Sequence, residues 1–330
     1  MTCMGTKAII AIIGAGNLGS ALASILSVGP ETVRVWDRDP AKAPAGATLG
    51  STLAGASHAF VCVPSWALRR ALDDIAPLLG RETVIVGMSK GIDGESKLLI
   101  DELLAERLPA GQPWALLSGP MLAAELSAGK SGAAMAASKD AAAHASLAAL
   151  FRGTRLLVEE TDDTHGVALC GVLKNVYSVG LGIAAALEWT DNARGWYLSV
   201  VVRECIVVLT ALGGQGATML GPAGLGDLVA TGFSPHSRNR RYGEDLVKYG
   251  TCPIVSEGCA SLPQLLDRLG DLRGRLPVID AVVRVVLDHE KAAEVFGGLI
   301  TIGLSGQYRS PLPSNVSTFT SLKKIAPVYS

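Results

Sequence analysis

Lys174 stands in a setting that asks for a chemical explanation. It lies in residues 167–187, a run that holds no other charge, and an ammonium left unpaired in so apolar a segment is costly. Two readings are open. Either its stem snorkels and carries the charge to water, or the amine is a general acid whose proton meets an alkoxide as hydride arrives. Asp227 and Thr231 are four residues apart and so share one helix face. Asp227 suits holding Lys174 charged and oriented, and Thr231 suits bonding a substrate oxygen, although each serves equally as a local cap or an ordinary hydroxyl. Next come Ser237-Arg238-Asn239-Arg240-Arg241, where a forked guanidinium, an amide and the backbone N–H groups of a helix start would together make an anion site. The alternatives are a solvated basic turn or a small nucleic-acid patch, but interleaved aromatics are absent and the chain is not basic.

A second constellation precedes these. Gly14-Ala15-Gly16-Asn17-Leu18-Gly19 follows a β-branched run and opens an Ala/Leu-rich helical pattern. In a dinucleotide turn Gly14 permits the bend, Gly16 lets backbone approach a pyrophosphate, and Gly19 lets helix and strand pack closely. Asp37, at the end of the next strand, suits the adenosine ribose hydroxyls and repels a 2′-phosphate, which favours NAD. Arg38 beside it suits stacking on adenine or gripping that phosphate, so NADP stays open; a plain polar turn before Pro40 is the third reading.

The elements that must position these residues follow from periodicity. Short apolar runs at residues 7–13, 32–36, 59–63, 83–88, 114–117 and 132–137 alternate with helix-forming segments, which predicts a parallel sheet with its ligand edge at the strand carboxyl ends. Near residues 156–159 the pattern changes to long helices, 164–187 and 193–212, apolar enough to be buried on most sides. The expected fold is α/β: a Rossmann-type domain over residues 1–160, then an all-helical domain over 161–330 for substrate binding and dimerisation. The last twenty residues read as irregular.

Composition sets limits. The 330 residues carry 29 Lys and Arg against 30 Asp and Glu, a formal charge of −1. That gives no net field to recruit nucleic acid or an anionic membrane, so phosphate must be met by a local cluster. Cys3, Cys62, Cys170, Cys205, Cys252 and Cys259 form no Cys-x-x-Cys pair and suit a reducing cytoplasm. No window reads as long and apolar enough to span a bilayer without glycine-rich or charged breaks. The histidines and cysteines show no metal spacing, and no Gly-x-Ser-x-Gly elbow points to an acyl-transfer serine.

Taken in order, Gly14 through Gly19, Ser89-Lys90-Gly91, Ser118-Gly119-Pro120, Leu173-Lys174-Asn175, Gly224-Leu225-Gly226-Asp227-Leu228 and Ser237-Arg238-Asn239-Arg240 resemble the signatures of the NAD(P)-dependent glycerol-3-phosphate dehydrogenases, over about residues 7 to 290. The resemblance implies reduction of the C2 ketone of dihydroxyacetone phosphate. It makes Lys174 the proton donor or acceptor, with Lys90 and Asp227 in the active site and Gly119, Thr231, Ser237, Arg238 and Asn239 at the substrate. It gives the cofactor Asn17, Leu18, Lys90, Ala123, Arg238 and Glu257 beside the glycines, Asp37 and Arg38. It also implies a homodimer.

Met121 stands where that family has Ser or Thr after Gly-Pro, Asn17-Leu18 where a small polar and an aromatic residue are usual, and Ala193 where Thr is common. An apolar residue at 121 relaxes the penalty against a substrate lacking the terminal hydroxyl, so a phosphonate ketone such as 2-oxopropylphosphonate is an alternative substrate. A 3-hydroxyacid dehydrogenase, which would need a carboxylate site in place of the Arg238 cluster, and a non-catalytic nucleotide-binding regulator are the other readings.

Overall fold

The computed structural model describes residues 8–305; the expectations that fall on Lys7 and on the last twenty residues lie outside them. Seven strands form one sheet: β1 (Ile9–Ile13), β2 (Thr32–Trp36), β3 (His58–Val61), β4 (Val84–Gly87), β5 (Trp114–Ser118), β6 (Gly132–Ala137) and β7 (Leu156–Thr161). Their spatial order is β2-β1-β3-β4-β5-β6-β7. The first five strands pair in parallel, as alternation with helices predicts.

Two features correct the sequence reading. β6 runs antiparallel to β5. The five-residue helix Ala123–Ser127 in that connection rises only about 7 Å, too little to carry the chain back along a strand for a parallel return. Residues 156–159 are not yet helical territory but the start of β7, parallel to β6. As an edge strand it leaves Glu159 and Glu160 exposed, so its second half lacks the apolar signature of the buried strands.

In the sheet half the helices are α1 (Asn17–Leu26), α2 (Leu49–Leu53), α3 (Ser65–Ile75), α4 (Ile100–Arg107), α5 (Ala123–Ser127) and α6 (Ala141–Leu150). Leu22, Leu126 and Leu147 put α1, α5 and α6 on one face of the sheet. Leu68, Leu72 and Leu103 put α3 and α4 on the other, in an apolar cluster that continues unbroken through Leu173 and Val176 into the helical half.

That half contains α7 (Thr164–Ala186), α8 (Asp191–Ala211), α9 (Asp227–Phe233), α10 (Arg238–Tyr249), α11 (Glu257–Leu269), α12 (Pro277–Val286) and α13 (Ala292–Leu304). Helix α7 starts where the Asp163 carboxylate accepts the Gly166 N–H at 2.9 Å, an N-cap. By length and composition it could cross a membrane, but Lys174 and its glycines break the run, as the sequence reading has it, and 94% of its most apolar window is buried inside the protein. Other helices lie against it at backbone distance. A Cβ at Gly243 would stand 2.1 Å from the Val179 carbonyl oxygen, and one at Gly182 would stand 1.9 Å from that of Arg240. These glycines let α10 close on α7, which brings the start of α10 to the level of Lys174.

Candidate active site

Lys174 does not snorkel to the surface. Its side chain is 10% exposed, and its Nζ donates to Thr231 Oγ1 at 3.1 Å and to Asp227 Oδ1 at 3.5 Å. Asp227 and Thr231 share the inward face of α9, as their spacing predicts, and Thr231 Oγ1 also donates to Asp227 Oδ1 at 3.1 Å. A π-helical turn, Pro222–Gly226, leads directly into α9 and sets Asp227 as its first residue. From the sheet half, three residues past β4, Lys90 reaches the same carboxylate: Nζ to Asp227 Oδ2 is 2.5 Å, and it also donates to the Gly119 carbonyl at 3.3 Å.

The electrostatics follow from two ammoniums sharing one carboxylate, which leaves net positive charge in a buried place. Burial, with a smaller push from Lys90, brings the Lys174 ammonium down to about 8 against the opposing pull of Asp227 and Glu257. Burial alone would raise Asp227, but Lys174 and Lys90 hold it below the usual carboxylate range. An amine poised near 8 gives up and recovers a proton readily at neutral pH, and a site of excess positive charge favours oxygen anions.

Next to this cluster an amide pair joins three helices. Asn239 Nδ2 donates to Asn175 Oδ1 at 2.7 Å, and Asn239 Oδ1 accepts from Ser256 Oγ at 2.9 Å and from the Gly258 N–H at 3.2 Å. Asn239 is therefore buried, with its amide spent largely inward, a function that spacing did not reveal. Ser237 caps α10, its Oγ accepting the Arg240 N–H at 3.2 Å, which confirms a helix start there. Glu257 accepts from Asn175 Nδ2 at 3.4 Å. Burial raises its carboxyl, and Lys174, Lys90 and Arg238 all pull against that rise. One carboxylate thus lies within electrostatic reach of the three cations that sequence reasoning grouped.

Arg238 is exposed and lines a cleft of about 750 Å³ together with Asn17, Ala123, His236 and Arg241. His236 and Arg241 are marked by no periodicity in the sequence, and only the fold brings them to this cleft. Across the cleft lies the glycine turn. Gly14 has φ +101°, and a Cβ at Gly19 would stand 1.9 Å from the Gly14 carbonyl oxygen. At Gly16 a Cβ would meet nothing within 4 Å, so that face is open, and α1 begins with no side chain capping its N–H groups. An open glycine before uncapped N–H groups fits a pyrophosphate.

Asp37 closes the turn: Oδ2 accepts the Ala15 N–H at 2.7 Å, and Oδ1 accepts the Asp39 N–H at 2.8 Å. The carboxylate is thereby fixed beside the turn, with Arg38 exposed next to it and Leu18 packed against the cluster of α1. Met121 is 7% exposed and belongs to the apolar cluster of Leu22, Met88 and Leu126, whereas Leu173, next to Lys174, belongs to the other. Among the described residues no group of three or more His, Cys, Asp or Glu side chains is placed to hold a metal ion.

Residues 41–144 match the family model for the NAD-dependent glycerol-3-phosphate dehydrogenase N-terminus, and residues 163–297 match that for the C-terminus. A glycerol-3-phosphate dehydrogenase [NAD(P)+] of Azotobacter vinelandii is 31% identical over 324 residues, covering 88% of this chain and 94% of the relative. That of Gloeobacter violaceus is 33% identical over 300 residues, covering 88% and 96%. The crystal structure of glycerol-3-phosphate dehydrogenase from Coxiella burnetii superimposes with a TM-score of 0.77 at 28% identity, covering 89% of this chain and 99% of that one.

Proposed function

The chain belongs to the NAD-dependent glycerol-3-phosphate dehydrogenase family, and from that membership we propose how its own residues carry the reaction. It is an NAD(P)-dependent oxidoreductase that interconverts dihydroxyacetone phosphate and sn-glycerol 3-phosphate. The observation that carries the mechanism is Lys90–Asp227–Lys174, two amines on one buried carboxylate, with the start of α10, which carries Arg238, tied through Asn239 to Asn175 next to Lys174.

In this reading residues 1–160 hold the cofactor and 161–330 the substrate. Gly14, Gly16, Asn17, Leu18 and Gly19 receive the dinucleotide at the start of α1; Asp37 and Arg38 take its adenosine end, and Ala123 and Glu257 line its path. When bound, the reduced nicotinamide supplies hydride to C2. Ser237, Arg238 and the second amide hydrogen of Asn239 hold the phosphate, with Gly119 along the substrate backbone. Lys174 donates its proton to the C2 oxygen, and Lys90 stabilises the charge that grows there. Asp227 keeps both amines in place, and Thr231 orients Lys174. Running backwards, neutral Lys174 takes the hydroxyl proton. We further propose a homodimer in the cytoplasm, a location that suits five free cysteines among the described residues.

The test is oxidation of NADH and NADPH with dihydroxyacetone phosphate. Lys174→Ala is expected to lower kcat about a thousandfold with cofactor affinity kept, and Arg238→Ala to act mainly on KM. A fully active Lys174→Ala enzyme would refute the mechanism.

A further inference from the structure

Lys90 reaches Asp227 from a loop whose far end is gripped by the helical half. The loop is pinned at its start, where Ser89 Oγ donates to the Val63 carbonyl at 2.6 Å. It then folds back on itself. Ile92 bridges to Leu99, the Asp93 N–H reaches the Leu98 carbonyl at 2.8 Å, and the Asp93 carboxylate accepts from Arg69 Nε at 3.1 Å and from Ser96 Oγ at 2.8 Å. Residues 89–99 are thus tied at both ends and across the loop, which couples the position of Lys90 to that of Lys97 and Leu99.

The far end meets α11. Arg268 forks the Glu102 carboxylate, with Nη1 to Oε1 at 3.2 Å and Nη2 on Oε2, and the same guanidinium donates to the Lys97 carbonyl at 2.7 Å. Lys97 Nζ answers with a 2.5 Å contact to Asp267. The opposite end of α11, thirteen residues long, begins at Ser256, Glu257 and Gly258, whose contacts with Asn239 and Asn175 place it beside Lys174. Helix α11 is thus a strut of about 20 Å. One end is tied to the neighbours of Lys174, and the other to the loop that carries Lys90.

We propose that Arg268 is a positioning residue for the lysine pair: its fork on Glu102 and its bond to the Lys97 carbonyl set how far Lys90 reaches toward Asp227. An exposed ion pair contributes little by itself. This one is 22% and 31% exposed at its two side chains and bidentate, a geometry that fixes direction as well as distance. The inference rests on the mechanism above, in which the two lysines act together.

Steady-state reduction of dihydroxyacetone phosphate by the full-length enzyme tests it, with Arg268→Ala, Arg268→Lys, Glu102→Gln and the Arg268→Ala/Glu102→Gln double variant. Each alanine or glutamine change is expected to lower kcat about 3- to 10-fold, with the double variant no worse than the more severe single one. The lysine variant keeps the charge without the fork and should fall between. NADH affinity, read by fluorescence titration, stays unchanged.

The pH profile separates positioning from stability. Lys174 faces Asp227 on α9, Lys90 on the loop and Glu257 on α11. Withdrawal of Lys90 removes the like charge, so the basic limb of kcat should move to higher pH. An unmoved limb with unchanged kcat, even at a lower Tm, overturns the proposal, as do losses that multiply in the double variant. If Lys174→Ala is itself fully active, the mechanism has failed; if that variant is dead while Arg268→Ala matches wild type, only the role of Arg268 has failed.

Discussion

Lys90 Nζ and Asp227 Oδ2 stand 2.5 Å apart, although they are 137 residues apart in sequence and come from different halves of the chain. The pair joins the sheet edge to the helical half at the point where Lys174 also meets that carboxylate. Asp227→Asn leaves two buried ammoniums facing a neutral amide, and breaking such a pair costs more than forming it gains. Expected is a kcat loss of roughly a hundredfold or more with NADH affinity kept. The basic limb should also move to lower pH, because Asp227 raises the Lys174 ammonium. Steady-state kinetics from pH 6 to 10, on the order of five profiles, would read both effects.

The wild-type profile carries its own prediction. Burial first, and Lys90 second, bring Lys174 down to about 8. Ketone reduction needs the protonated amine and alcohol oxidation the neutral one. Reduction should therefore fall as pH rises through about 8, while oxidation rises through the same point. Two profiles with no opposed limbs would separate Lys174 from the proton transfer.

What the sequence makes legible divides by the range of the cause. Asp227 and Thr231 lie on one face because positions four apart in an α-helix are about one turn apart, and Ser237 caps α10 because its hydroxyl meets an N–H three residues on; both are local and readable. The partnership of Lys90 with Asp227 is readable only through family resemblance, since no periodicity links residues 137 apart. Two things stayed hidden for a different reason. The Asn239 amide spends itself on Asn175, Ser256 and Gly258, which depends on three helices meeting. The reversal of β6 depends on how little length α5 adds to its connection.

Cofactor choice turns on Asp37. Its carboxylate is held by the Ala15 and Asp39 N–H groups, so it cannot swing away from a 2′-phosphate, and NADH should be preferred to NADPH. Asp37→Asn keeps an acceptor for the Ala15 N–H and removes the repulsion. The ratio of kcat/KM for NADPH to that for NADH is expected to rise about tenfold, equivalent to ~1.4 kcal/mol. A wild-type enzyme that already favours NADPH would contradict this account of the site.

Glu204 supplies a prediction away from the chemistry. It is fully buried on α8, yet its carboxylate accepts the Val278 N–H at 2.7 Å and the Ile279 N–H at 3.2 Å, at the start of α12, and the Tyr177 hydroxyl at 2.8 Å from α7. Burial pushes its carboxyl up to about 7 against the pull of these three donors. A carboxyl raised on folding binds its proton more tightly in the native state, so its stabilising contribution is whole below the unfolded value near 4.5 and is lost as pH climbs to about 7. Glu204→Gln removes that titration. Its carbonyl still accepts from the start of α12, and its amide can donate to the Tyr177 oxygen. The drop in Tm between pH 5 and 8, roughly the window of this titration, should shrink in the variant, with kcat at pH 7 little changed. An unaltered pH dependence of Tm would mean that Glu204 stays charged across the range, stabilised outright by the helix start it caps.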